Sequence, residues 1–306
     1  MKTVCVLMST YNGEKFIETQ IKSVLAQKDV IVKLLIRDDG SSDRTVPIIQ
    51  EYVSKHEEIS FYSDKNLGPA KSFLHLLKSA PKADYYSFCD QDDYWEETKL
   101  ISAVRKIGEK EGPKAEVPVM YHSNLKIVDQ ELKFIRMAHT KDYSAEKPYA
   151  SLVENSVTGC TAVMNYALAR IINSKTPEEL TMHDAWCNIV CSFLGKKIYD
   201  SNAYIQYRQH ANNAIGMKKA SLSSNVKTRV KRIKNSAFQP RMVNATQFYK
   251  CFRKELGSEQ RREVKKMIEY KKSFLNRLKL LFDFKIKAFS LKEDLKYRIL
   301  ILMGEI

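Results

Sequence analysis

The chain has 306 residues, 44% of them hydrophobic, and a formal net charge of +15, enough for one large domain with an appendage or for two domains. Its apolar runs all fall short of the roughly 18 residues a membrane-spanning helix needs, and the opening MKTVCVLMSTYNGEKF turns polar with no small-residue cleavage site, which argues against a secretory signal. The charge is uneven: residues 1–215 carry 27 Lys and Arg against 28 Asp and Glu, whereas residues 216–306 carry 24 against 8, so the predicted division is 1–216 and 217–306.

The first half alternates strand and helix signals. TVCVLMS (3–9) reads as a buried strand, and Phe16, Ile17, Ile21, Val24 and Leu25 recur at helical spacing after it. VIVKLLIRDDGSSDRT is a second strand ending in a turn, with Ser42 or Asp43 placed to cap the helix in TVPIIQEYVSKH. ISFYSD is a third strand, NLGPAKSFLHLLKSA a turn and helix, and DYYSFCD a fourth strand. This rhythm implies βαβ units around a mostly parallel sheet.

The middle is mixed. PVMYHSNLKIVDQ suits a strand with a hairpin continuation, and SVTGCTAVMNYALARII a loop or short strand entering a helix. A helix carries Trp186, Ile189, Val190, Phe193 and Leu194, with Gly195 placed to end it, and AYIQYRQH is strand-like. The tail reads as helical, with a basic amphipathic helix at 222–234 and a last apolar stretch half as long as a bilayer span. Six scattered cysteines without a CxxC pair point to buried thiols in a reducing compartment.

Ligands of open α/β sheets bind at the carboxyl ends of the strands. Three such ends are polar here: Ser9-Thr10-Tyr11-Asn12, Asp38-Asp39-Gly40 and Asp90-Gln91-Asp92-Asp93. The last sits in CDQDDYW between apolar and aromatic residues. Three carboxylates there either face water or hold a hard divalent cation, Mg²⁺ or Mn²⁺, together with substrate phosphates. An EF-hand is excluded because its glycine and glutamate are missing, and neither a dinucleotide fingerprint nor a P-loop is present. Asp-Gly is equally an ordinary turn, Asp184 suits the first turn of a helix, and a lone histidine such as His210 is more often structural.

Taken together, and in order, the segments MSTYNGEKFIETQIKSVLAQ, IRDDGSSDRT, NLGPAKSF, CDQDDYW, TGCTAVMN, MHDAW and YRQHANNAIG resemble an inverting family 2 glycosyltransferase of the GT-A fold. The resemblance covers residues 3–216 and is greatest to a bacterial rhamnosyltransferase-like branch. It implies a Rossmann-like, mostly parallel sheet with flanking helices, followed by a basic helical extension. It places Thr10, Tyr11, Asp38 and Asp39 around the nucleoside, Asn66 along the donor site and Asp90 at the ribose. It gives Asp92 to the metal, with His210 as a further metal or diphosphate contact. Asp93 and Trp95 would shape the sugar site, Gly159, His183 and Trp186 would flank it on the acceptor side, and Asp184 would be the general base. The implied donor is dTDP-L-rhamnose, with a UDP-hexose as the alternative.

The acceptor implied is a lipid-linked or polymeric bacterial glycan. The expected location is cytoplasmic, at the inner face of the plasma membrane, held to an anionic surface by the basic tail. Two other classes stay open on the residues alone. One is a sugar-nucleotide-binding scaffold with no base. The other is a nucleic-acid-binding protein, for which the tail shows no recognition motif.

Overall fold

The computed structural model describes residues 1–210, 239–304 and 306. The basic helix expected at 222–234 and the end of the YRQHANNAIG segment lie outside them.

Strand β1 (Thr3–Thr10) is buried on both faces, which is why its apolar run does not alternate. It pairs in parallel with β2 (Ile31–Asp38) and with β4 (Tyr85–Cys89), and β2 pairs in parallel with β3 (Ile59–Ser63). The crossovers between them are α1 (Ile17–Leu25), α2 (Thr45–Val53) and α3 (Pro69–Ser79). Asp43 accepts from the Thr45 amide at 3.0 Å just ahead of α2, whose N-cap position is held by Arg44 and by neither Ser42 nor Asp43. Alternate residues of each strand enter two separate cores. Cys5, Leu7, Tyr86 and Phe88 face α3, and Val4, Val6, Met8 and Cys89 face α1.

The second half of the sheet is mixed. Beyond β4 the order runs through β8 (Val163–Asn165), β6 (Val119–Val128), β9 (Lys196–Arg208) and β5 (Tyr94–Trp95), with β7 (Phe134–Met137) on β6. The β6–β9 pair is parallel, while β8 meets both neighbours antiparallel. The sequence reading gave no element to residues 99–111, yet α4 (Lys99–Glu111) forms there. Leu100, Ala103, Val104 and Ile107 make its buried face.

After β8 come α5 (Tyr166–Asn173) and α6 (His183–Leu194). Gly195 ends α6 in extended backbone, not in a left-handed cap. A Cβ there would lie 2.7 Å from the Pro118 carbonyl, so the glycine permits close passage of the chain beside β6. The tail supplies α7 (Gln239–Phe252), α8 (Ser258–Glu269), α9 (Phe274–Leu281) and α10 (Leu291–Met303). Phe248 and Phe252 pack on Phe193 and Trp186 of α6, at ring distances of 5.0 and 6.0 Å. These helices therefore share the hydrophobic core on the α3 side of the sheet. No described helix is long and apolar enough to cross a membrane. All six thiols are free, and five are buried.

Candidate active site

A cleft of about 720 Å³ opens at the carboxyl ends of β1, β2 and β4 and is closed on its far side by the start of α6. That size suits a nucleotide-sized ligand, since ligand pockets run to about 300–1,000 Å³. Its wall includes Thr10, Tyr11, Asp39, Asn66, Asp90, Asp92, Gly159, His183, Asp184 and His210. These residues come from seven separate stretches of the sequence, and the topology alone brings them together.

The first acidic turn is saturated. Asp38 is fully buried and accepts from the Gly40 amide (3.1 Å), the Ser41 amide (2.9 Å), Ser63 Oγ (3.1 Å) and Thr10 Oγ1 (3.1 Å). Its carboxylate is spent on its own turn and lies off the cleft wall. Asp39 reaches the wall. Its oxygens accept from the amides of Leu67 (2.7 Å) and Gly68 (2.9 Å), and it is ion-paired to Arg37, which is itself fully buried. Arg37 also donates to Ser72 Oγ and to the Lys65 carbonyl, at 2.9 and 2.8 Å. Asn66 Nδ2 donates to the Asp39 carbonyl at 2.9 Å and fixes the loop.

The second acidic turn is far less compensated. Asp90 faces the cleft, and burial, with the charges of Asp92 and Asp184 adding to it, pushes its carboxyl up to about 7. Asp93 is completely buried and is held well above the usual carboxylate range, first by burial and then by Asp92 and Asp90. One Asp93 oxygen accepts from the Arg208 amide at 3.2 Å, and the other lies among buried atoms without a hydrogen bond from the described residues. Gln91 clasps the Tyr11 backbone through two bonds of 2.9 Å. Arg208 Nε donates to the Asp92 carbonyl at 2.8 Å, and His210 Nε2 lies 2.7 Å from Asp92 Oδ2 while its ring stacks on Phe16. The end of β9 thus grips the turn from behind.

Asp184 stands in the first turn of α6. Burial raises its carboxyl to about 6, partly offset by bonds from the Ala185 amide and the Asn155 side chain. It is mainly ionised at neutral pH yet basic enough to take a proton. Beside it, His183 is wedged between Phe73 and Phe88, at ring distances of 4.1 and 4.8 Å. Burial lowers it to about 3, so the ring is neutral, and neither nitrogen has a partner among the described residues. Gly159 is required by that ring, because a Cβ would lie 2.5 Å from His183 Nε2.

Four expected site residues are not on the wall. Asp38 and Asp93 are buried for the reasons above. Trp95 lies wholly in the core on the α1 side of the sheet with the Lys99 ammonium 3.3 Å from its ring centre, and Trp186 packs under α7. A large aromatic beside a polar motif was core in both cases. Sequence reasoning passed over Arg37, Gln91, Arg208 and Asn155. For Arg37 a signal was present, a cation inside an otherwise apolar strand next to two acids.

The match to the model of glycosyl transferase family 2 spans residues 5–169, and the chain belongs to that family. Its fold is GT-A. The S. aureus TarS 1–349 structure in complex with UDP-GlcNAc superposes with a TM-score of 0.61 at 18% identity, over 98% of this chain and 81% of that one. The mannosyltransferase PcManGT from Pyrobaculum calidifontis, in complex with GDP-Man and Mn²⁺, gives 0.54 at 13% identity over 90% and 71%. Among curated proteins, the dTDP-rhamnosyl transferase RfbG of Shigella flexneri is 29% identical over 232 residues, covering 68% of this chain and 73% of that protein. The putative teichuronic acid biosynthesis glycosyltransferase TuaG of Bacillus subtilis is 36% identical over 98 residues, 32% and 38% of the two chains.

Proposed function

We propose that this glycosyltransferase moves L-rhamnose from dTDP-L-rhamnose to a hydroxyl of a bacterial cell-surface glycan precursor, with inversion. The observation that carries the reading is one cleft whose wall holds Asp184, raised to about 6, together with Asp90 and Asp92. The rhamnosyl donor is supported by the likeness to RfbG.

Asp39 and Asn66 would bind the nucleoside end and Asp90 the ribose. A divalent cation fits the second turn on the chemistry of its donors. Asp92 and Asp90 offer hard oxygen ligands on the same cleft wall, and a cation there would offset the charge that helps to raise the Asp90 carboxyl. Asp92 would hold the ion, with His210 within reach of the same carboxylate oxygen. When bound, such an ion stabilises charge on the departing diphosphate. Among the chain's own residues, Asp184 takes the acceptor hydroxyl proton. The acceptor oxygen bonds to the anomeric carbon as the bond to the diphosphate oxygen breaks, and the electron pair leaves with the diphosphate. His183 and Gly159 shape the acceptor side and keep water from the base. The acceptor reading, a lipid-linked or polymeric saccharide at the cytoplasmic membrane face, draws on the basic tail.

Calorimetry tests the donor half directly. Wild-type protein is titrated with dTDP, UDP and their sugar conjugates, in Mn²⁺ and in EDTA. Tighter binding of dTDP-L-rhamnose that needs the ion is expected, and preference for a UDP-hexose would replace the donor. No binding of any nucleotide by folded protein would refute the reading.

A further inference from the structure

The large apolar side chains exposed on this molecule are concentrated at one place. Among the described residues, nine of the fifteen lie between Phe274 and Met303. On α10 they are Leu291, Leu295, Ile299, Leu302 and Met303, spaced to form one stripe along the helix. The other side of α10 buries Tyr297, Leu300 and Ile301 completely. This helix is apolar on two faces and packed on only one.

The neighbouring α9 adds to the stripe. Its Arg277 lies against the C-terminal end of α10, where a Cβ on Gly304 would come 2.9 Å from the guanidinium. At the other end, Arg298 of α10 donates to the Leu280 and Asp283 carbonyls at 3.2 and 2.7 Å. The two helices therefore run side by side in opposite directions. Phe274 and Leu275 are exposed at one end of α9, and Phe282 and Phe284 at the other. Phe284 is 82% exposed and Leu291 92%.

Charge identifies the occupant. Residues 271–303 hold nine Lys and Arg against three Asp and Glu. The three acids are already tied, Asp283 to Lys266, Glu293 to Lys296 and Asp294 to Arg298. Lys279, Lys287 and Lys292 are exposed with no acidic partner among the described residues. A second copy of this chain would bring the same positive charge to the contact and be repelled. An anionic bilayer surface instead accepts both features at once, with phenyl and leucyl groups in the headgroup boundary and lysines at the phosphates.

We propose that the α9–α10 face is a docking surface for anionic phospholipid bilayers, entered by Phe282, Phe284, Leu291 and Leu295. This deepens the membrane-surface part of the proposed function and places the contact on apolar side chains, where the sequence pointed to the charged stretch at 222–234. It is independent of the donor chemistry. Because α7 packs both on α6 and into the core that α8 to α10 share, one hydrophobic core joins the docked surface to the helix bearing Asp184.

The test is sedimentation of the full chain with vesicles of phosphatidylcholine alone or mixed equally with phosphatidylglycerol. Wild type is expected to pellet with the mixed vesicles and stay in the supernatant with the neutral ones. F284D/L291D/L295D changes exposed positions only and keeps every Lys and Arg. It is expected to lose at least about tenfold in partitioning. Undiminished pelleting of the variant would overturn the proposal and return the contact to charges elsewhere. Failure of wild type to pellet with either vesicle would overturn it too. So would a drop in the variant's melting temperature with vesicle binding intact, since the face would then be covered by the chain itself, or light scattering showing a dimer that the variant dissolves. Nucleotide binding measured on the same variant should be unchanged, so loss of docking and loss of the donor reading are separable.

Discussion

Two aspartate-rich turns end β2 and β4, the strands on either side of β1, and they differ in what surrounds the carboxylates. At Asp38 and Asp39 the acid oxygens are met by backbone amides, hydroxyls and a buried guanidinium. At Asp90, Asp92 and Asp93, fewer donors meet more charge, and Asp184 adds a fourth carboxylate nearby. Buried carboxylates that are satisfied hold structure, whereas buried carboxylates left repelling one another are held for something the folded chain itself does not supply.

The largest expected effect falls on the second group. Asp184→Asn keeps the shape of the side chain but removes the proton acceptor, and should lower kcat by about 10²–10⁴-fold with nucleotide affinity unchanged. Parallel loss of donor binding would mean that Asp184 is a binding residue instead.

The contrast between the turns can then be broken by a matched pair. Asp38→Ala takes the acceptor from Thr10, Gly40, Ser41 and Ser63 beneath the turn and should cost roughly 2–4 kcal/mol of stability in denaturant unfolding. Asp92→Ala loses the bond to His210 but also a repelling charge, so it should cost less than Asp38→Ala, about 1 kcal/mol or less, while abolishing ion-dependent nucleotide binding. Similar stability losses in both would erase the distinction.

Acid titration gives a smaller effect with a defined sign. The base must be ionised, and Asp184 stands at about 6 in the fold, against about 3.9 for a free aspartate. Read as kcat, with donor bound so that Asp90 does not enter, the rate should therefore hold above that value, halve near it and fall about tenfold per unit below. His183, lowered to about 3, is neutral throughout this range and should not contribute. An acid limb centred near the ordinary carboxylate value would show that the base is more exposed than its burial indicates.

The first four strands were readable because each is a short run rich in apolar or aromatic residues closed by turn residues. The acidic motifs were readable as motifs. Which aspartate of a pair turns inward was not, since Asp38 and Asp39 differ only in the donors that β3 and the loop before α3 bring to them. Trp95 and Trp186 looked like pocket residues from their neighbours in sequence and lie in the core because Trp95 faces the α1 side of the sheet and α7 covers Trp186. Helix α4 shows ordinary helical spacing at Leu100, Ala103, Val104 and Ile107 but follows a turn crowded with charge. The burial of α7 against α6 depends on aromatic pairs 66 and 55 residues apart in sequence, which no local pattern links.

The smallest effect asks whether the uncompensated carboxylates need an undisturbed scaffold. Two glycines flank α6 in space, and a methyl group at either would collide. At Gly159 the collision is with His183 Nε2 at 2.5 Å, with Asp184 Cβ at 3.6 Å just beyond. The imidazole cannot give way, because Phe73 and Phe88 hold it on two sides. At Gly195 the collision is with the Pro118 carbonyl, at the opposite end of the helix from the cleft. Each substitution by alanine should cost about 1–3 kcal/mol of stability, as overpacking does. Only Gly159→Ala should also move the first turn of α6, and with it Asp184, lowering kcat by about 10–100-fold, as a misplacement of order 1 Å does. Equal loss of activity in the two variants would show that α6 transmits strain along its whole length. Loss confined to Gly159→Ala would show that the reaction depends on where one carboxylate sits, and that the wedged histidine is what holds it there.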